Sequence, residues 1–217
     1  MYRRTLIHRS LVASVALACS AFAAPHAAAQ STWPTGKAIT YLVPFAPGGN
    51  TDTLARLIAQ PLGKALGTPI VIDNKGGAGG SVGSAIAARA PADGYNIMGG
   101  TISSHAINVS LYNKIDYDPI KSFVPVAMLG SGPLVLVVPA SSPYKTLADV
   151  LAAAKAKSGS GGLSSASPGT GTSPHMALEL LAFQSGTKFT HVPYKGSGPA
   201  LQDLLGGQVD MMFDTAL

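Results

Sequence analysis

Apolar and polar positions along this chain follow two alternating periods. Residues 38–45, AITYLVPF, are an apolar run of strand length. From Thr51 the spacing changes, with Leu54, Leu57, Ile58, Leu62, Ala65 and Leu66 recurring at helical intervals. Pro61 inside this pattern is expected to kink or divide the helix, and Gly67 to end it. TPIVIDNK (68–75) reads as a second strand. GGAGGSVGSAIAARA reads as a glycine turn and a helix of small residues, closed at Ala90-Pro91 because a residue before proline avoids the helical region. GYNIMGGT (94–101) reads as a third strand. The order β-loop-α-β-loop-α-β over 38–101 predicts a parallel sheet with crossover helices.

The pattern continues in kind. FVPVAMLGSGPLVLVVPA (123–140) holds two apolar runs split at Gly130-Ser131-Gly132-Pro133. A helix is predicted from about Thr146 to Lys157, then a Gly/Ser turn region over 158–175 that belongs to a βα unit. A helix from about Pro174 to Ser185, the segment KFTHVPY, a helix around Gly198 to Leu205 and a strand at 207–214 follow. The chain stops at Leu217, three residues after Asp214 and with no closing helix, which reads as a break within a longer polypeptide.

Composition changes this picture at the N-terminus. Arg3, Arg4 and Arg9 precede a short apolar stretch from Leu11 to Ala24, and Ala27-Ala28-Ala29 offers small residues before Gln30. Residues 1–29 therefore read as a cleaved secretory signal peptide, which marks the mature chain for export. Cys19 is the only cysteine and lies inside that leader. Cleavage after Ala29 leaves no disulfide, thiolate nucleophile or Cys metal site. The chain has 15 basic and 10 acidic residues; without the three leader arginines the balance is 12 to 10. No Lys/Arg cluster marks a nucleic-acid surface. After residue 30 no apolar run is long enough to span a bilayer.

The chemistry lies in the turns. LVPFAPGGNTD passes from a strand through Gly48-Gly49 into a helix, and Asn50, Thr51 or Asp52 can cap it. Unpaired N–H groups and the helix dipole suit an anion there, and glycines let it approach the backbone. A capped turn without a ligand fits the same residues. NKGGAGGS, GGTISSHA, SASPGTGTSPH and PYKGSGPA repeat the arrangement, and sheet topology gathers strand carboxyl ends at one crevice. Five turns rich in Gly, Ser and Thr suit a small anionic ligand. The mature arginines, Arg56 and Arg89, fall on predicted helix bodies, so backbone N–H groups, hydroxyls and water would have to hold it. Lys195 is a loop cation placed to help, or a solvated surface lysine.

Other chemistry fits less well. Gly79-Gly80-Ser81-Val82-Gly83 matches a nucleophile elbow, and a secreted serine hydrolase using Ser81 with Asp149 and His175 or His191 is the runner-up. The pattern is short and sits in a glycine run, so chance accounts for it better, with Ser81 as a helix cap. His105, His175 and His191 lack metal-ligand spacing and read as hydrogen-bonding loop residues. Tyr194 and Phe45 line a pocket wall or sit in plain core.

ITYLVPFAPGGNTDTLARLIAQPLGKALGTPIVIDNKGGAGGSVGSAIAARAPADGY resembles the opening of the Bug-type solute receptors of tripartite tricarboxylate transporters. GGTISSHAINVSLYNKIDYDPIKSFVPVAML, SASPGTGTSPHMALELL and THVPYKGSGPALQDLLGGQVDMMFD are similar to the same family further on, so the resemblance covers 34–214. It implies an α/β, two-lobed periplasmic binding protein of type II-like form, with lobe 1 over 30–128 and lobe 2 over 129–217. It implies a monomeric receptor, not an enzyme, that needs no cofactor or metal. Such a receptor captures a small carboxylate and delivers it to membrane permease subunits. A ligand-sensing module of a membrane sensor would use the same binding chemistry. Carried over by motif, Phe45, Gly48, Gly49, Asn50, Thr51 and Asp52 form the first-lobe loop. Thr101, Ser104 and His105 follow the third strand. Ser167, Gly169, Gly171, Thr172, Ser173 and His175 face them from lobe 2, with Tyr194, Lys195, Gly196 and Asp214. Asn50 stands where the family often has Gly. The family also continues past Asp214, so the C-terminal part of lobe 1 is missing. Uncovered apolar faces are then expected to leave the 217-residue chain poorly stable or weak in binding.

Overall fold

The computed structural model describes residues 33–216. The leader reading of residues 1–29, with Cys19, lies outside them. β1 (Ile39–Val43) is the middle strand of a three-stranded parallel sheet ordered β2-β1-β3, between β2 (Ile70–Asn74) and β3 (Asn96–Met98). Being central, β1 buries both faces, which is why its run is apolar without alternation. Tyr41 registers with Ile72 on one side and Ile97 on the other. Tyr41, Val43, Phe45 and Ala55 form this core, flanked by Ile58, Ile70, Ile72 and Ile97.

Helix α1 (Asn50–Leu66) follows β1 and runs through Pro61 undivided. The ring costs one intrahelical bond but the flanking turns continue. Gly67 ends α1 in the left-handed conformation, φ 66°, and returns its N–H to the Gly63 carbonyl. α2 (Ser81–Ala88) links β2 to β3. After β3 comes a π-helical turn (Ser103–Ile107), then a short α3 (Asn108–Leu111).

The second sheet is ordered β4-β7-β5-β6, with β4 (Leu134–Val137), β5 (Leu163–Ser167), β6 (Phe189–Pro193) and β7 (Met211–Thr215). β5 runs parallel to both neighbours, and β4 is antiparallel to β7. Helices α4 (Leu147–Ala156), α5 (Ser173–Ser185) and α6 (Ser197–Leu205) complete it. One core cluster joins Val150, Ala154, Leu163, Leu178 and Met211, and the other joins Ala166, Ala200, Leu204, Val209 and Met212.

Two sequence readings need correction. The Gly/Ser region at 158–175 contains β5, LSSAS, an interior strand. Leu163 packs with α5 and Ala166 with α6, so small side chains are what let both helices approach it. Residues 123–133 are apolar but form no regular element, with Val124, Val126 and Met128 at least 83% exposed. No ladder partner for them occurs among the described residues, and β-propensity without a partner makes no strand. Among the described residues no helix is long and apolar enough to cross a membrane.

Candidate functional site

Parallel strands deliver their carboxyl-end turns to one edge of each sheet, and here the two edges meet. The Ala46 N–H donates to the Lys195 carbonyl at 2.8 Å. The Ser173 N–H donates to Ser103 Oγ at 3.2 Å, and Tyr112 Oη to the Thr170 carbonyl at 3.0 Å. The Asn50 side-chain amide donates to the Thr215 carbonyl. The five Gly/Ser/Thr turns therefore line a single seam.

Four helices start on this seam, α1, α2, α5 and α6. Their N-cap residues, Gly49, Gly80, Thr172 and Gly196, make no side-chain cap bond. Helix α4 is different: Thr146 and Asp149 close a complete capping box. The four dipole ends thus lie at the seam without side-chain caps of their own, while Ser103 Oγ takes the first N–H of α5, the preceding turn takes those of α2, and Asp52 stands in the first turn of α1.

In the first turn, Gly48 has φ 85° and donates its N–H to Asp52 Oδ2 at 2.9 Å. Asp52 caps nothing in its own helix. It is buried and also accepts from Arg56 Nε and Nη2, both at 3.0 Å, and from Asn74 Nδ2 at 2.9 Å. Burial alone would raise this carboxyl, but the bonds from Arg56, Gly48 and Asn74, with the Arg56 charge, hold it below the usual range. Asp52 is an internal clamp for the turn, and Arg56 is tied to it. Phe45 packs in the core against Gly80, and its carbonyl accepts from Asn74. Gly49 faces Ser197 across the seam, and the Thr51 methyl sits against Gly99.

After β3, Thr101 and the fully buried Ser104 bond to each other through backbone and hydroxyl. Ser104 Oγ lies 2.8 Å from His105 Nδ1. The His105 ring is 4.7 Å from Phe123, and burial lowers its pKa.

Across the seam, Ser167 Oγ accepts from the Gly169 N–H at 3.1 Å and lies 2.6 Å from His191 Nε2. The Gly169 carbonyl accepts from Thr172 Oγ1 at 2.7 Å. Gly169 and Gly171 hold φ of 141° and 80°, a region that strains other residues. Gly171 donates its N–H to His175 Nδ1 at 3.2 Å. That leaves Nε2 as the protonated nitrogen of a neutral His175, facing Glu179 at 3.4 Å. His175 and His191 stack with centroids 4.0 Å apart.

The Tyr194 hydroxyl donates to Asp203 Oδ2 at 2.6 Å, and its pKa is pushed up to about 12, by burial and then by Asp203. It is committed to α6. The Lys195 ammonium makes no ion pair among the described residues, and the buried Gly196 opens α6. Asp214 is buried and accepts from Ser197 Oγ and the Thr215 N–H, both at 2.9 Å. Burial raises its pKa against those two bonds.

Ser81 is not the cap of α2, a place taken by Gly80. Its hydroxyl accepts from Asn108 Nδ2 at 2.9 Å and lies 3.5 Å from Tyr117 Oη. Asp149 is in the α4 capping box, and His191 pairs with Ser167. Sequence reading also missed Ser103, Asn108, Tyr112 and Ser197. Ser103 and Ser197 lie inside quoted turns, but Asn108 and Tyr112 carry no local signal, because their partners come from turns far along the chain.

The stacked histidines set an acid limit. Burial lowers both, and the His175 charge opposes protonation of His191, whose pKa falls to about 4. Protonating His175 would also place a proton on Nδ1, against the Gly171 N–H. The unfolded imidazole, near 6.5, takes up protons first as pH falls. Stability is therefore expected to be full above pH 6.5 and to decline towards pH 4. Urea midpoints across that range should show the decline, and His191→Phe should flatten it.

The family model for the tripartite tricarboxylate transporter family receptor, TctC, matches residues 54–217. A protein encoded between tcbD and tcbE in Pseudomonas sp. strain P51 is 40% identical over 95% of this chain and 60% of its own length. MatC from Rhodopseudomonas palustris, solved with bound malate, is 38% identical at TM-score 0.76 over 83% of this chain and 60% of its own. A further R. palustris protein, solved with adipate, is 38% identical at TM-score 0.79 over 84% and 60%. The chain thus spans about 60% of the length of these relatives. It shares its α/β architecture with periplasmic binding proteins. By sequence and by fold, this chain belongs to the tripartite tricarboxylate transporter receptor family, TctC.

Proposed function

We propose that this chain is the ligand-holding part of an extracytoplasmic solute receptor. Its two lobes, 30–128 and 129–217, close on a small carboxylate and present it to the permease subunits of a tripartite tricarboxylate-type transporter. The observation that carries this reading is the set of four helix N-termini without side-chain caps on one seam. Such ends attract an anion by their dipoles and by N–H groups left without a partner, though in α2 and α5 the first N–H groups are already engaged. Arg56 is engaged by Asp52, so neutral dipoles, and not a guanidinium fork, are what this seam offers a carboxylate. The malate- and adipate-bound relatives fit the same ligand class. The basic and apolar leader supports a periplasmic location. Ligand contacts are proposed from Gly48 to Thr51, from Thr101, Ser104 and His105, from Ser167 to His175, and from Lys195, Gly196 and Asp214.

Thermal melts with malate, adipate and a panel of mono-, di- and tricarboxylates test the reading. Binding to the folded form raises the melting temperature saturably. No shift with any carboxylate would count against the reading. Ser81→Ala should leave the response unchanged.

A further inference from the structure

Asn108 begins α3 and is completely buried. Its side-chain nitrogen donates to the Gly79 carbonyl and to Ser81 Oγ, each at 2.9 Å, with the Ala78 carbonyl at 3.4 Å. These acceptors orient the amide, since turning it over would set its oxygen against two carbonyls. Oδ1 therefore points the other way and has no hydrogen-bond partner. Gly171 of the second-sheet side covers it so closely that a β-carbon there would overlap Oδ1. Beside it, the bonds from Tyr112 to Thr170 and from Ser173 to Ser103 are satisfied. Turn 169–173 thus seats on two good contacts and one orphaned oxygen.

A buried carbonyl without a donor is unfavourable, whereas the same oxygen exposed to water is solvated. All of Asn108's donor contacts lie on the first-sheet side and persist whether or not the turn seats. Only the surroundings of Oδ1 change. We propose that Asn108 is a positioning residue that biases the seam open. Its Oδ1 is hydrated when turn 169–173 withdraws and orphaned when it seats, so closure without a ligand is weaker than the other seam contacts alone would make it, and a ligand offsets the loss. The ligand clause rests on the receptor reading; the bias itself does not.

The test is residue-resolved hydrogen exchange on the ligand-free chain. The Ser173 N–H is bonded only across the seam, so its protection reports seating. Asn108→Leu removes the orphaned oxygen, and Ser173 protection is expected to rise about tenfold. Tyr112→Phe removes a satisfied contact, and protection is expected to fall. If Asn108→Leu lowers protection, Asn108 is a closing latch and the proposal is overturned. An unchanged value also overturns it, because a purely structural asparagine would move the melting temperature and not the seam. If the leucine variant does not fold, Asn108→Ser replaces it with the same expectations, since a hydroxyl can still donate towards Gly79. A separate arm adds malate or adipate to the unmodified chain. A rise in Ser173 protection supports the receptor reading, and its absence counts against that reading without touching the Asn108 result.

Discussion

Gly198→Ala is expected to part the seam while leaving both sheets folded. Gly198 lies in the first turn of α6, where it needs no left-handed backbone. Alanine is the better helix former there, by up to about 1 kcal/mol. A β-carbon at 198, however, would overlap the Pro47 carbonyl and stand 3.3 Å from the Gly48 Cα, both on the other side. Backbone groups cannot swing aside as a flexible side chain can, so turn 45–48 must withdraw. The readout is the Ala46 N–H, bonded across the seam to the Lys195 carbonyl. Its exchange protection should fall about a hundred-fold, equivalent to ~2.7 kcal/mol, and the melting temperature should fall by less than that loss alone implies, because alanine strengthens α6. Loss of any carboxylate response should accompany it. Retained Ala46 protection would show that the two edges do not meet as described.

Asp52→Ala should have the largest effect on stability. The carboxylate gathers four donor contacts from Gly48, Arg56 and Asn74 around a buried site, and alanine leaves the Gly48 and Asn74 donors without it. Charged hydrogen bonds and orphaned donors of this kind place the cost at about 3 kcal/mol, discounted because Arg56 remains half exposed. For a chain of this size that is a fall of roughly 10 °C in melting temperature. Asp52→Asn, which keeps the shape, should lose less. The pH dependence has a definite sign. The folded carboxyl lies below its ordinary 3.8, so its contribution is present above that value and lost as pH falls through the folded pKa. The wild-type chain should thus weaken in two acid steps, the histidine pair first and Asp52 below it. The alanine variant should lack the second step, as denaturant midpoints against pH would show.

The glycine turns, the helix period from Thr51 to Leu66 and the continuous apolar β1 were legible because each depends on residues near one another in the chain. β5 was not legible, since LSSAS has loop composition and becomes a strand only through burial between β7 and β6. Pro61 was expected to kink or divide α1, yet one missing bond did not divide a 17-residue helix. Among the site residues, turn membership was readable but direction was not. Asp52 and Tyr194 sit in the predicted turns, yet their polar atoms are spent on Arg56 and Asp203 within their own sides.

By itself the sequence determined the α/β class, the family and the five turns that carry backbone donors, because strand and helix periods and glycine placement are local properties. Only the tertiary structure decided that these turns face one another, that Arg56 and Ser81 are engaged elsewhere, and that Asn108 lies against Gly171. Those outcomes depend on pairs of residues brought together across the chain by sheet order, and no local pattern encodes which backbone a side chain will meet.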